Sequence, residues 1–370
     1  MHWAIAMRAV CCGKTPSNST ACRANNRANL DRRLPLDYSP APCIDSPEIM
    51  AVPAQLANTM TELTIPTAVL ALLALLADRV LGEPRRCHPL VGFGRFAHYL
   101  EARLNRGSGS LKLWAGALAY TVAVLPPVLM LYGISVVLSE FSPLLEALLS
   151  VVILYLAVGW QSMREHVQPI LTALEQRDLP GARQALSYIV SRDTAELNDA
   201  QVLSASIETT LENSSDALFA SLFWFAVAGP CGVLVHRLSN TLDAMWGYRN
   251  ARFNLFGRVA ARCDDVLNFI PAQLTALSFA LVSFSASAIR CLVFQGWRWK
   301  SINAGAVMAS GAAALGITVG GAANYHGQQQ QRATLGAGRL PQPGDVRRSV
   351  RLVDTVCAVW LLSALVGALL

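Results

Sequence analysis

The sequence predicts an all-α, polytopic integral membrane protein, with a polar active-site region formed by helices and loops between membrane segments. Three observations predict it. Hydrophobic residues make up 53% of the 370 residues and charged residues only 15%, with mean hydropathy +0.38; a soluble domain carries roughly 25% charge. Apolar runs recur at close to the length of about 20 residues that a bilayer core requires. No alternating strand pattern of any length lies between them, and backbone in lipid must satisfy its own hydrogen bonds.

Residues 1–60 differ from the rest. They are rich in Asn, Arg, Pro, Ser and Cys and lack periodicity. No apolar stretch follows the first basic residue, so they do not form a signal peptide. They read as a poorly ordered N-terminal extension before a membrane domain of residues 61–370, with translation starting at Met50 or Met60.

The apolar segments follow in order. Ile65–Leu81 is interrupted by Asp78. Leu113–Leu138 is long enough to span, with a kink expected at Pro126-Pro127. Leu144–Trp160 comes next. Leu218–Leu234 contains Gly229-Pro230 and is expected not to span. Pro271–Phe294 spans easily. Ala304–Gly321 is built from Gly and Ala, which suits close helix packing, whether it spans or packs as a shorter element. Val353–Leu370 closes the chain.

Loop charge gives a topology. Arg85, Arg86, Arg95, Arg103 and Arg106 place the loop after the first helix in the cytoplasm, while Ser139–Pro143 has no Lys or Arg and belongs outside. Residues 161–217 then return to the cytoplasm. They hold an amphipathic helix, read from Val167, Ile170, Leu171 and Leu174, and a second helix over Ala182–Val190. A full crossing by Leu218–Leu234 would export the Arg-rich loop 236–270, against the charge rule.

Nucleic-acid binding is excluded, because the arginines are scattered among acids rather than gathered in a patch. The nine cysteines form no C-x-x-C pair and no zinc spacing.

Polar words are concentrated between Ser191 and Pro271. Acids, amides and arginines are costly near lipid, so their clustering marks a candidate site. Glu208 and Glu212 share a helix face at i,i+4, where like charges call for a cation, a proton or an arginine between them. Asn213 and Asp216 extend that polar end. Asn240 and Asp243 share another face, and Tyr248, Arg249 and Asn250 follow as a turn with a phosphate-capable arginine. Arg258, Arg262 and Asp265 form one helical stripe, and Asp264 with Asn268 a second. Adjacent acids with nearby arginines suit a magnesium–nucleotide site; a structural Arg–Asp ladder is the alternative. His88 reads as a base, a phosphate contact or a helix cap. Asn303 opens a helix whose N–H groups either meet an anion or are simply capped.

In order, the words L-A-D-R-V-L-G-E-P…H-P (76–89), S-R-D-T (191–194), E-N-S-S-D (212–216), N-T-L-D-A-M-W-G-Y-R-N (240–250), A-R-C-D-D…N-F-I-P-A (261–272), N-A-G (303–305) and L-G-I-T-V-G-G (315–321) resemble the CbiB/CobD family, the membrane-bound adenosylcobinamide-phosphate synthases. The resemblance covers about residues 65–370. Three departures stand out. Glu83 replaces an Asp, Ala217 replaces a Gly, and Ile302 with Val307-Met308 replaces a Pro and a Pro-Glu pair.

The resemblance implies ATP-dependent amide formation between adenosylcobyric acid and aminopropanol or its phosphate, in a bacterial inner membrane. ATP and Mg2+ are the implied cosubstrate and ion, with no tightly bound prosthetic group. The corrinoid, the amine and the bilayer are the implied partners, together with later enzymes of the same pathway. Magnesium would be held by Asp264, Asp265 or Glu212, and phosphates by Arg249 or Arg262. Asp243 or Glu208 would accept the amine proton or bind its cationic form, with Asp264 a third catalytic candidate. Arg192, Asp193, Asn213, Asp216, Asn240, Tyr248, Asn250, Asn268, His88 and Asn303 complete the expected substrate and phosphate contacts. The competing classes are an AmpE-like membrane regulator without ligase activity and a small-solute transporter, although no internal repeat supports the latter.

Overall fold

The computed structural model describes residues 52–84, 88–325 and 328–369. The expected boundary at residue 60 falls inside helix α1 (Val52–Leu81), and residues 1–51 lie outside the described residues. The chain continues through α2 (Pro89–Leu104), α3 (Gly109–Phe141), α4 (Pro143–Ala157), α5 (Trp160–Glu175) and α6 (Leu179–Ser187). Next come α7 (Asp199–Ser214), a π-turn (Ser215–Phe219), α8 (Ala220–Trp246), α9 (Arg258–Val282), α10 (Ala286–Gln295), α11 (Ile302–Ala314) and α12 (Pro343–Leu369).

Local chemistry explains the starts. Asn198 and Gln201 form a reciprocal capping box at α7, each side chain accepting the other's backbone N–H at 2.9 Å. Asp178 caps α6 through the Gly181 N–H at 3.0 Å, with Pro180 in its first turn. The amphipathic reading of α5 holds, since Val167, Ile170, Leu171 and Leu174 are all buried.

Among the described residues, five helical stretches are long and apolar enough to cross a membrane: Gly109–Phe141, Pro143–Glu175, Asp199–Trp246, Arg258–Val282 and Pro343–Leu369. The chain is therefore a multi-pass membrane protein. Helix α3 leaves Leu111, Trp114, Leu118, Leu125 and Leu129 exposed, as a lipid-facing helix does. It runs through Pro126-Pro127 as one helix.

Four expectations need correction. Leu218–Leu234 belongs to a 48-residue helical stretch, Asp199–Trp246, rather than to a short separate element. The predicted punctuation is real but local: Ala228 (φ −139°, ψ 20°) and Gly229 (φ 57°, ψ −152°) bend α8, and Gly229 tolerates that positive φ because it has no Cβ. Pro271–Phe294 is two helices, α9 ending at Val282 and α10 starting at Ala286, with Phe284 at φ 50° between them. Ala304–Gly321 is not one helix: α11 has 13 residues, about 20 Å, short of the roughly 30 Å hydrocarbon core. It is buried along nearly its whole length, so its Gly and Ala serve close packing inside the protein. Strands also exist: β1 (Thr318–Gly320) pairs antiparallel with β4 (Thr334–Gly336), and β2 (Ala323–Tyr325) with β3 (Gln328–Gln330). Three-residue strands are too short to show alternation in sequence.

Two apolar clusters hold the fold. The larger is centred on α5, α7, α9 and α11, with Ile207, Leu211, Phe219, Phe279 and Met308 fully buried. The smaller joins α2, α3 and the end of α8 around Trp246 and Phe256, whose rings meet edge to face at 5.1 Å. Helix α8 contacts both groups, and it carries most of the polar site.

Candidate functional site

His236, Arg237, Asn240 and Asp243 recur along α8 at spacings that keep them near one face. Asp264 and Asn268 do the same on the adjoining α9. Where the two helices pack, a hydrogen-bonded chain forms. Asn268 donates its amide N–H to Asp264 Oδ1 at 2.9 Å, and His236 Nε2 lies 2.9 Å from Asn268 Oδ1. Asn240 hydrogen-bonds Asp264 from the α8 side. Arg237 reaches Asn240 Oδ1 at 3.5 Å.

The π-turn adds a further acid. A π-bulge inserts a residue into a helix and turns the face that follows, and such turns recur at functional sites. This one presents Asp216 within electrostatic reach of Asp264, Asp243, Glu212 and Arg237. Glu83, in the turn after α1, also acts on Arg237. Arg237 is buried, so a single interior guanidinium faces Glu83, Asp216 and Asp264. A buried charge persists only when paired, which binds these acids into one assembly.

Other predicted residues are placed elsewhere. Glu208 is 2% exposed and accepts from Arg192 at 2.6 Å, Arg332 at 2.9 Å, the Ser204 hydroxyl at 2.8 Å and the Gly320 N–H at 3.1 Å. Glu212, one turn on, is half-buried within reach of Glu208 and the same two arginines. Asn213 turns its amide back onto Thr209. Asp193 is exposed. Asp265 neighbours Asp264 in sequence, but successive helical residues differ by about 100°. Asp265 is therefore exposed and pairs loosely with exposed Arg262 at 3.9 Å, while its carbonyl accepts from Asn303 at 2.9 Å. Tyr248, Arg249 and Asn250 lie exposed in the turn after α8, where the Asn250 side chain accepts from the Phe253 N–H. His88 caps α2, its Nδ1 accepting from the Leu90 N–H at 3.2 Å. Burial holds its imidazole below the usual histidine value, against the pull of Glu83, which suits a neutral acceptor.

Sequence reasoning missed His236, Arg237, Arg332 and Glu83. For the first two a signal existed: they precede Asn240 by one helical turn in an otherwise apolar stretch. Arg332 reaches Glu208 across 124 residues, and no local pattern announces that. A cavity of about 840 Å³ opens between α1, α5 and α12, lined by Arg79, Glu83, Gln161, Arg164, His166 and Arg347 among others. Glu83 links it to the Arg237 assembly.

Magnesium takes oxygen ligands and is commonly held by one or two carboxylates plus substrate phosphates. Asp243 and Asp264 act on each other electrostatically and supply that donor type. Among the described residues, no three His, Cys, Asp or Glu side chains form a metal cluster.

The fold and site define a polytopic membrane protein whose packed helices hold an acid-rich polar assembly around one buried arginine. The chain belongs to the CobD/Cbib protein family, whose model matches residues 71–353. It is 49% identical over 294 residues to the cobalamin biosynthesis protein CobD of Stutzerimonas stutzeri, covering 80% of this chain and 95% of that one. The cobalamin biosynthesis protein CobD of Chromobacterium violaceum is 47% identical over 303 residues, covering 80% and 96%. The probable cobalamin biosynthesis protein CobD of Pyrococcus furiosus is 33% identical over 295 residues, covering 78% and 95%. No solved structure matches the chain.

Proposed function

We propose that this chain is an enzyme of cobalamin biosynthesis, in the inner membrane of a bacterium, that joins aminopropanol or its phosphate to adenosylcobyric acid in an ATP-dependent amide ligation. The observation that carries the reading is the assembly of Asp216 and Asp264 around Arg237, with Asp243 within electrostatic reach of both acids, in a member of this family.

A carboxylate does not condense with an amine at neutral pH. Phosphoryl transfer from ATP to the corrinoid carboxylate gives an acyl phosphate and ADP. The amine nitrogen then forms the C–N bond, inorganic phosphate leaves, and the nitrogen gives up a proton. Half-buried Asp243 suits binding of the ammonium form and acceptance of that proton. Arg237 is a buried guanidinium within electrostatic reach of Asp216 and Asp264. Asp264 would hold Mg2+, which would supply charge neutralisation when bound. The cavity beside Glu83 has the size of a small-ligand site and is the proposed entry for a substrate.

The test is complementation. A strain lacking its own synthase should make cobalamin from cobyric acid when this chain is expressed, and should grow on cobinamide without it. Membranes bearing the chain should form product from adenosylcobyric acid, ATP and one of the two amines. Stable expression with neither rescue nor product would favour an AmpE-like regulator.

A further inference from the structure

The chain from Asp264 to His236 can run in only one direction. An amide nitrogen donates hydrogen bonds and accepts none. Asp264 Oδ1 meets the amide nitrogen of Asn268 at 2.9 Å, so the Asn268 oxygen points the other way, toward His236. That oxygen can only accept. His236 Nε2, 2.9 Å from it, must therefore carry the hydrogen. Both residues are buried, His236 at 0% and Asn268 at 2% exposure, so bulk water does not compete for these bonds. The other ring nitrogen, Nδ1, has no partner among the described residues. A hydrogen there would be buried without an acceptor, which is costly. The imidazole is thus a neutral Nε2–H donor, aimed through one amide at one carboxylate.

We propose that His236 is a positioning residue: through Asn268 it fixes the orientation of the Asp264 carboxylate in the site. Each link is rigid, because His236 and Asn268 sit on different packed helices and the amide bridges them. Without the histidine, the Asn268 amide is free to flip, and a flipped amide presents its oxygen to Asp264 instead of its N–H. Acceptor then faces acceptor, and the carboxylate turns away from Asp243. The proposal rests on the reading of Asp264 as part of the site.

The experiment compares His236→Leu, His236→Gln, Asn268→Ala and the His236→Leu/Asn268→Ala double variant in the full chain. Gln can place an N–H near the position of Nε2. Expected results are a fall in kcat of about tenfold or more for His236→Leu and for Asn268→Ala, the scale of losing one buried hydrogen bond to a charged group. KM should stay within about twofold, His236→Gln should recover most of the rate, and the double variant should be no slower than Asn268→Ala alone. A purely structural staple would lower thermal stability and leave kcat unchanged, and that result overturns the proposal. So do multiplicative rate effects, or a His236→Gln variant as slow as His236→Leu. A second readout is independent of the reaction: labelling of Asp264 by dicyclohexylcarbodiimide, read by mass spectrometry. It should rise several-fold, and equally, in His236→Leu and Asn268→Ala, and stay at the wild-type level in His236→Gln. If wild-type protein shows no ligation at all, the ligase reading fails, and equal labelling in every variant then separately overturns the positioning role.

Discussion

Glu208 on α7 and Asp264 on α9 are both interior carboxylates, in opposite company. Glu208 faces two guanidinium groups, a hydroxyl and a backbone N–H, and is tied to the 318–336 hairpin segment by Arg332 and Gly320. Asp264 faces Asp216 and Asp243, with Arg237 as the shared cation and amides filling the remaining bonds. Glu208 and the neighbouring Glu212 are balanced by two arginines, and Glu208 holds three parts of the chain together. Several acids with one arginine leave negative charge over, which suits a metal ion, an ammonium group or a proton arriving with substrate. The stoichiometry of the neighbours, more than burial itself, separates the two roles.

The largest effect should follow removal of the neutralised acid. Glu208→Ala removes the buried carboxylate that pairs two half-buried guanidinium groups, and breaking a buried pair costs up to about 3–5 kcal/mol. The expected outcome is loss of protein from the membrane fraction, measured by immunoblot, in contrast to normal levels for Asp264→Ala. Normal abundance of Glu208→Ala would erase the distinction between the two regions.

Next come the acid-rich residues. Asp243→Ala and Asp264→Ala should each reduce turnover by about a hundredfold or more, the scale of losing a central electrostatic group, with abundance unchanged. Exposed Asp265→Ala should be far milder, because the α9 turn directs it outward. Equal losses for Asp264 and Asp265, measured in the membrane assay, would return both to a common metal-binding role.

A smaller effect is expected where packing brings the smaller apolar cluster against the site. A Cβ on Gly116 of α3 would land on the Phe256 carbonyl oxygen, so Gly116→Ala should cost about 1–3 kcal/mol through overpacking. A lowered thermal midpoint in detergent is the readout.

The smallest effect concerns pH. Burial opposes ionisation of Glu101, but the Arg252 and Asn105 hydrogen bonds outweigh it and hold the carboxyl below its ordinary value. Its stabilising contribution is then present above the usual carboxylate range and is lost as pH falls through the depressed value. Thermal midpoints should therefore drop less steeply on acidification in Glu101→Gln than in the wild-type protein. Parallel curves would remove this pair from the account.

Much of the fold was legible from apolar run length, since lipid leaves helices as the only open-chain solution. The misread elements are those where length and composition pull apart. Ala304–Gly321 is apolar enough for a membrane, yet α11 stops at Ala314 and is enclosed by protein. The site was legible as a region, because costly polar residues concentrate between Ser191 and Pro271. Its internal division was not. Glu208 and Glu212 invited a shared role from their spacing, but the second arginine on Glu208 comes from residue 332. Arg249 and Arg262 carry suitable chemistry in suitable words, and the fold leaves both exposed.

By itself the sequence determined the class of the protein, its helical character and the list of polar residues available, because hydropathy and helical period are local properties of the chain. The tertiary structure decided which acids share a guanidinium, which face outward, and that His236 reaches Asp264 through Asn268. Those pairings depend on how α7, α8 and α9 rotate and pack against one another, and no window of neighbouring residues carries that information.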